Sequence, residues 1–369
     1  MAGSSLVIRT GKDIVMKGIF LRVLLTTAVL AAFWTPAAAQ QPAGDQAIFR
    51  LLTFEASGEP RLGATQGDGE RDIVDIHNAA LALKAANAPE FRTLPFIPGE
   101  MKALIEVGDE AVNAVKTVYR AALNLKANGK LVDPGGERRV FYPHTAVRIR
   151  TPIPNVRKVF GMVNNYIEEG SEYSKIASFF LKSVDSIIGP GEAIVVSDFL
   201  LEGAKTSRRA NTHEPELAFV IGRRAENVSE ADAMDYVFGY TIHNDVSGRT
   251  LPTGRSSTEG SMMTKGQRTF GPTGPYITLK EDVPDPYNLG IAAYINGQRA
   301  NIPNGNTKYM VHRIATGLSM LSRIMTLEPG DIVATGVPEP DTPLKVGDTI
   351  EITIDRLGTL RNPVVGEGS

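Results

Sequence analysis

Apolar and polar residues alternate in short bursts along most of the chain, and the period of each burst predicts its element. Ala47-Ile48-Phe49-Arg50-Leu51-Leu52 and Ile73-Val74-Asp75-Ile76 predict short strands, with Gly63 and charged turns between them. From about 78 to 128 the spacing becomes helical, as in the alanine-rich run 110-EAVNAVKTVYRAALNLKA-127. Residues 129–155 carry Gly, Pro and Arg and read as a linker. Beyond 155 the apolar runs are brief again. Those at 158–163, 193–196, 216–222 and 291–297 predict strands, and 349-TIEITID-355 puts Ile350, Ile352 and Ile354 on one face. Ser229 with Asp232 three residues later signals a helix through about Phe238, ended by Gly239. Met310, Ile314, Leu318, Leu321 and Met325 form a helical stripe over 308–326, the pattern of core packing. The predicted class is α+β, mainly β.

The first residues stand apart from this texture. Met16, Lys17 and Arg22 make a positive start, Val23 to Trp34 is apolar, and Ala37-Ala38-Ala39 is a small-residue cleavage site before Gln40. That is the pattern of a secretory signal peptide, and it is short for a stable membrane anchor. Residues 1–15 read as an over-extended start. The expected organisation is therefore a signal peptide over 1–39, an N-terminal α+β domain with its linker over 40–150, and a mainly β domain over 151–369. Removal of 1–39 takes four basic residues and one acidic residue, so the net charge moves from −2 to −5. No basic patch stands out, which argues against nucleic acid as a partner. The chain has no cysteine. Disulfides, thiolate metal sites and Cys nucleophiles are excluded together, and export to a bacterial periplasm fits.

The chemistry concentrates in 213-HEPELAFVIG-222. Glu214 and Glu216 alternate around Pro215 and so share one face of a strand, and an apolar run follows directly. Pro215 confines this point to a strand start or an edge. A solvated acidic loop is the plain alternative. The adjoining run argues for burial, and paired buried carboxylates call for a cation. A third acid, Asp245, ends the apolar-leaning stretch 240-YTIHND-245. Three carboxylates and waters make a hard oxygen set suited to Mg²⁺, with Mn²⁺ or Ca²⁺ as alternatives. His213 and His243 point away from these acids on the strands and read as packing or supporting residues.

These residues resemble the fumarylacetoacetate hydrolase family. The resemblance runs in order through Phe179-Phe180-Leu181-Lys182, the E-x-E-L-A-x-V-I-G of 214–222, and the G-Y-x-x-x-N-D-V-S-x-R of 239–249. It continues through Lys265 with Phe270-Gly271-Pro272-Thr273-Gly274-Pro275, Asn296-Gly297, and Leu327-Glu328-Pro329-Gly330-Asp331-Ile332-Val333-Ala334-Thr335-Gly336. It spans about 156 to 362. It implies a mixed β-roll or β-sandwich catalytic domain that forms homodimers, and a divalent metal on Glu214, Glu216 and Asp245. It further implies a small 2-oxo or 1,3-dioxo carboxylate substrate. Lys265 then stands near the substrate oxygens as a catalytic residue. Arg249, Lys182, Thr335 and Tyr166 stand at substrate-contacting positions.

The chain departs from the family pattern at the acid/base. The stretch 165-NYIEEGSE-172 resembles N-Y-x-x-H-x-x-E, but Glu169 occupies the histidine position. The five histidines, at 77, 144, 213, 243 and 312, include none near it in sequence. Glu172 and Glu169 are the remaining catalytic candidates. Arg268 and Val337 are further departures. A retained metal set without the dyad leaves C–C bond hydrolysis, decarboxylation and keto–enol isomerisation open. It also leaves a member that binds a carboxylate without turning it over.

Overall fold

The helical spacing between 78 and 128 resolves into three helices, α1 (Ile76–Ala85), α2 (Met101–Val107) and α3 (Asp109–Ala127). Breaks in the run explain the division. Pro95 and Pro98 lie before α2, and Gly108 between α2 and α3 takes φ +81°, a conformation that favours glycine. In α3 the buried positions Ala111, Val112, Val115, Val118, Tyr119 and Ala122 recur at three- and four-residue spacing, so one stripe faces inward. Tyr119 ends edge-on against the ring of Phe49, 5.3 Å away.

The computed structural model describes residues 48–368 apart from 70, 132, 169, 171, 199–210, 249–260, 339 and 341. The signal peptide expected over 1–39 lies outside the described residues. No helix among the described residues is long and apolar enough to cross a membrane.

Strands of three or more residues are β1 (Phe49–Glu55), β2 (Arg61–Gln66), β3 (Ile73–Asp75), β4 (Val159–Val163), β5 (Ser178–Lys182), β6 (Ile194–Val196) and β7 (Pro215–Ile221). They continue as β8 (Val237–Asn244), β9 (Gly271–Leu279), β10 (Ile291–Ile295), β11 (Ile332–Ala334), β12 (Thr349–Ile354) and β13 (Gly358–Gly366). Among the described residues, α4 (Ser261–Lys265) and α5 (Ile314–Ile324) come after the first three. The expectation of an α+β fold that is mainly β is met.

The large sheet runs β3-β2-β1-β9-β8-β7-β11-β4-β5. β7 lies in its middle, antiparallel to both β8 and β11. A second sheet runs β10-β12-β13-β6. All seven residues of β7 are buried, because both faces of the large sheet are covered. Leu217, Phe219 and Ile221 enter a core with α5 and the second sheet. Ala218 and Val220 enter a core with α1, α2 and α3. Residues Gln40–Ser369 form one compact unit. The sheet itself crosses the expected boundary near 150, since β1 of the N-terminal region pairs with β9 through Leu51 and Ile277.

Two helix expectations change. The turn at Ser229 forms, with the Ser229 hydroxyl donating to Asp232 Oδ2 at 2.6 Å. Yet only one 3₁₀ turn follows, Ala233–Tyr236, and β8 begins at Val237. Val237, Phe238, Tyr240 and Ile242 are buried in the sheet, and this tertiary gain overrides a local helix signal. Gly239 ends no helix. It stands inside β8, where an added side chain would collide with the backbone of Thr278 on β9. The other helix, α5, starts at Ile314 rather than 308, because Thr307–Tyr309 is a separate 3₁₀ turn. Met310, Ile314, Leu318 and Leu321 of its stripe are buried as expected, and Met325 lies beyond its end.

Phe219 is fully buried at the centre of the large sheet. Phe219→Ala should lower unfolding free energy by about 3–5 kcal/mol. Denaturant titration of the two proteins measures the difference, and a loss near zero would contradict this placement.

Candidate metal centre

The register of β7 against β8 assembles the site. Pro215 lies opposite Asn244, so Glu214 just before β7 meets Asp245 just after β8. The Asp245 N–H donates to Glu214 O at 3.0 Å, and the Glu214 N–H donates to Asn244 Oδ1 at 3.0 Å. Pro215 has no N–H to lose, so it suits the first position of a strand that is otherwise paired on both sides. Glu216 follows two residues on. One carboxylate oxygen from each of Glu214, Glu216 and Asp245 lies within 4.8 Å of the others. All three residues are buried.

Two lysines share this cluster. Lys265, at the end of α4, donates to Glu214 Oε2 at 2.7 Å and also to Asp245 Oδ2. Its ammonium stands 5.1 Å from the ring centre of Phe180. Lys182, at the end of β5, is 2% exposed. It donates to Asp245 Oδ1 at 2.5 Å and to Lys265 O at 2.6 Å, so it ties Asp245 to the end of α4. The Ser247 hydroxyl donates to Glu214 Oε1 at 2.8 Å. Glu216 is held differently. Its Oε2 accepts the backbone N–H of Gly336 at 2.6 Å. Gly336 has φ +83°, and a Cβ there would meet Met162 O at 3.1 Å and Asn165 Cβ at 3.4 Å. Glycine is the residue that lets this N–H point at the carboxylate.

The electrostatics separate the acids. Burial opposes ionisation of Asp245, but Lys182 and then Lys265 hold its carboxyl well below the usual range. Burial pushes Glu216 well above it, and the charges of Asp245 and Glu214 add to the rise. Burial also lowers Lys182. Lys265 goes up despite burial, because Asp245 and Glu214 face it. Burial, with Lys182 next, pushes His243 down to about 3, so its ring is neutral. Thr273 donates its hydroxyl to Gly271 O at 3.0 Å and therefore accepts from His243 Nδ1 at 2.9 Å, which assigns the proton to Nδ1. His243 thus supports through Thr273, but it pairs with Glu216 across β7 and β8 and so shares that acid's face of the sheet instead of pointing away from it.

Glu216 carries the surplus charge of the cluster. A divalent cation offsets such a surplus, and three oxygen donors without nitrogen or sulfur suit a hard ion. The residues fit a resident metal held by Glu214, Glu216 and Asp245.

The other expected residues land as follows. Thr335 is buried; its hydroxyl donates to Leu217 O at 2.9 Å and lies 3.3 Å from the Tyr166 hydroxyl. This pair adjoins Gly336. Glu172 is exposed, and none of its contacts among the described residues joins it to the acids. Glu169 and Arg249 lie outside the described residues. Sequence reasoning assigned no role to Ser247, Gly336 or Asn165. Asn165 is buried and donates from Nδ2 to Thr335 O at 2.9 Å. Each sits within a motif stretch quoted above, but the contacts that matter are made by a backbone N–H, a hydroxyl and an amide whose targets are distant in sequence.

Comparison with known proteins gives the family. A family model described as fumarylacetoacetate (FAA) hydrolase C-terminal matches residues 156–365. An oxaloacetate tautomerase of Xenopus laevis (fahd2, mitochondrial) is 31% identical over 329 residues, covering 86% of this chain and 90% of that protein. The crystal structure of maleylpyruvate hydrolase from Sphingobium sp. SYK-6, in complex with manganese(II) ion and pyruvate, is 30% identical with a TM-score of 0.63. It covers 86% of this chain and 99% of its own. A 5-carboxymethyl-2-hydroxymuconate delta-isomerase from Mycobacterium smegmatis is 28% identical with a TM-score of 0.60, over 87% of this chain and all of that one.

Removing one donor should empty the site. Glu216→Ala is expected to lose bound manganese while staying folded; elemental analysis after gel filtration measures this. Metal content equal to the unmutated protein would exclude Glu216 as a ligand.

Proposed function

The chain belongs to the fumarylacetoacetate hydrolase family, and from that premise we propose that it is a divalent-metal-dependent enzyme that interconverts keto and enol forms of a small 2-oxo carboxylate. The observation that carries this reading is the buried set of Glu214, Glu216 and Asp245 with Lys265 donating to two of them. Enolisation needs a cation, a stabiliser of the developing oxyanion and one base. C–C bond hydrolysis needs in addition a water activated for attack. The chain has Glu169 where the resemblance expects the histidine of an acid/base dyad. That difference favours enol chemistry, and the similarity to an oxaloacetate tautomerase supports it.

Glu214, Glu216 and Asp245 would hold the metal, with Mg²⁺ as the proposed ion and Mn²⁺ or Ca²⁺ as alternatives. When bound, the cation supplies Lewis-acid polarisation of the substrate's oxo group. Lys265 stands among the ligands with its ammonium held positive, so it can stabilise the charge that grows on the enolate oxygen. Lys182 keeps Asp245 ionised and oriented. Glu172 is the proposed base. It takes the α-proton, and the proton returns to the oxo oxygen, so no co-substrate is consumed. Arg249 is proposed to pair with the substrate carboxylate, a task suited to a bidentate donor. Thr335 and Tyr166 line the Gly336 side. C–C bond hydrolysis is the second reading, supported by the similarity to a maleylpyruvate hydrolase. We also propose a homodimer as the working assembly.

Turnover of oxaloacetate, acylpyruvates and fumarylacetoacetate-like diketones with Mg²⁺ or Mn²⁺, with and without EDTA, tests the assignment. EDTA-sensitive keto–enol conversion is expected, and Glu172→Gln should lower it while metal stays bound. Binding without any turnover would refute enzymatic function and leave a carboxylate-binding protein.

The apolar leader before Gln40 supports export to the periplasm. N-terminal sequencing of protein from the periplasmic fraction should begin at Gln40; retention of residues 16–39 would overturn cleavage.

A further inference from the structure

The stretch that carries Glu172 is fastened at two points to one distant residue, His312. At its start, Asn165 reads the backbone of His312. Asn165 Oδ1 accepts the His312 N–H at 2.8 Å, and Nδ2 donates to His312 O at 3.1 Å. The same Nδ2 donates to Thr335 O at 2.9 Å, next to the glycine that holds Glu216. Backbone bonds from Val311 to Asn165 O at 2.8 Å and from Ile167 to Tyr309 O at 3.0 Å extend this seam. At the far end, the His312 ring meets Ser174 O at 3.0 Å through Nε2. A carbonyl only accepts, so Nε2 carries the hydrogen. Between the two points, Tyr173 closes back by donating its hydroxyl to Glu168 O at 3.1 Å.

We propose that His312 is a positioning residue for Glu172: its ring fixes the Tyr173–Ser174 corner relative to the Asn165–Thr335 seam, and this sets where the proposed base stands. The inference rests on the enol-forming reading above. His312 is half-buried, and among the described residues its ring makes one hydrogen bond, to Ser174 O. Its removal should therefore loosen the corner without emptying a cavity. The sequence separation of 138 residues explains why no reading of the motif around 165–172 could find it.

The full chain, His312→Ala and His312→Gln are compared by amide hydrogen exchange, manganese content and oxaloacetate kinetics. In His312→Ala, exchange at Tyr173–Ala177 should quicken about tenfold, the order expected for one lost hydrogen bond. Manganese content should hold, kcat should fall about tenfold, and KM should move by less than about twofold. A glutamine amide can donate to the same carbonyl, so His312→Gln should restore both exchange and kcat. Unchanged exchange in His312→Ala overturns the proposal. Faster exchange with unchanged kcat does so too, since the contact would then be structural alone. A glutamine variant no better than alanine has the same consequence. Absence of turnover by the unmutated protein on every acid would sink the enol reading, whereas unchanged exchange beside intact wild-type turnover would sink His312 alone.

Discussion

Three carboxylates buried within 4.8 Å of one another are the constraint on which the structure turns. Two unit charges at that separation repel by about 3–4 kcal/mol at an effective dielectric of about 20, before the cost of desolvation. Lys182 and Lys265 offset two of the three. They do so asymmetrically, since both donate to Asp245 and only Lys265 donates to Glu214. Glu216 is left with the burden, and its raised affinity for a proton is the mark of it. A site built this way suits a divalent cation, because the cation relieves the charge on Glu216, to which neither Lys182 nor Lys265 donates.

The rest of the fold keeps that cluster from relaxing. β7 is paired on both sides and covered on both faces, so Glu216 cannot swing toward water without breaking a central strand. The antiparallel register pins Glu214 to Asp245. The turn at Thr335-Gly336 brings a backbone N–H to Glu216, and it is itself held by Leu217 O and by the Asn165 amide. Glu214 and Asp245 are therefore positioned by the β7–β8 register, and Glu216 by β7 together with the Gly336 N–H. The N-terminal helices contribute indirectly. They fill the core on the face of β7 marked by Ala218 and Val220.

Much of the fold could be read locally. The strands at 158–163, 193–196, 216–222, 291–297 and 349–355 all appear within a residue or two. Their periods are strong because each is half or wholly buried. The stretch after Ser229 was misread for the opposite reason. A capping turn is a local hydrogen bond of modest strength, and it lost to four buried apolar side chains in β8. The pairing of β1 with β9 was beyond local reading, since it joins residues more than two hundred positions apart.

The three clustered acids were legible because their signal is short-range: two glutamates of like parity beside an apolar run, and an aspartate ending another. Lys182 and Lys265 entered by resemblance, as pocket residues. Their bonds to Asp245 and Glu214 became visible only in three dimensions. By itself the sequence determined which residues carry charge, which strands are buried and which donors are hard oxygens, because composition and period are properties of neighbouring residues. The tertiary structure alone decided which lysine neutralises which acid, which backbone N–H meets Glu216 and that His312 reaches Ser174. Those choices depend on strand order and register, and register is settled by the packing of whole faces rather than by any residue and its neighbours.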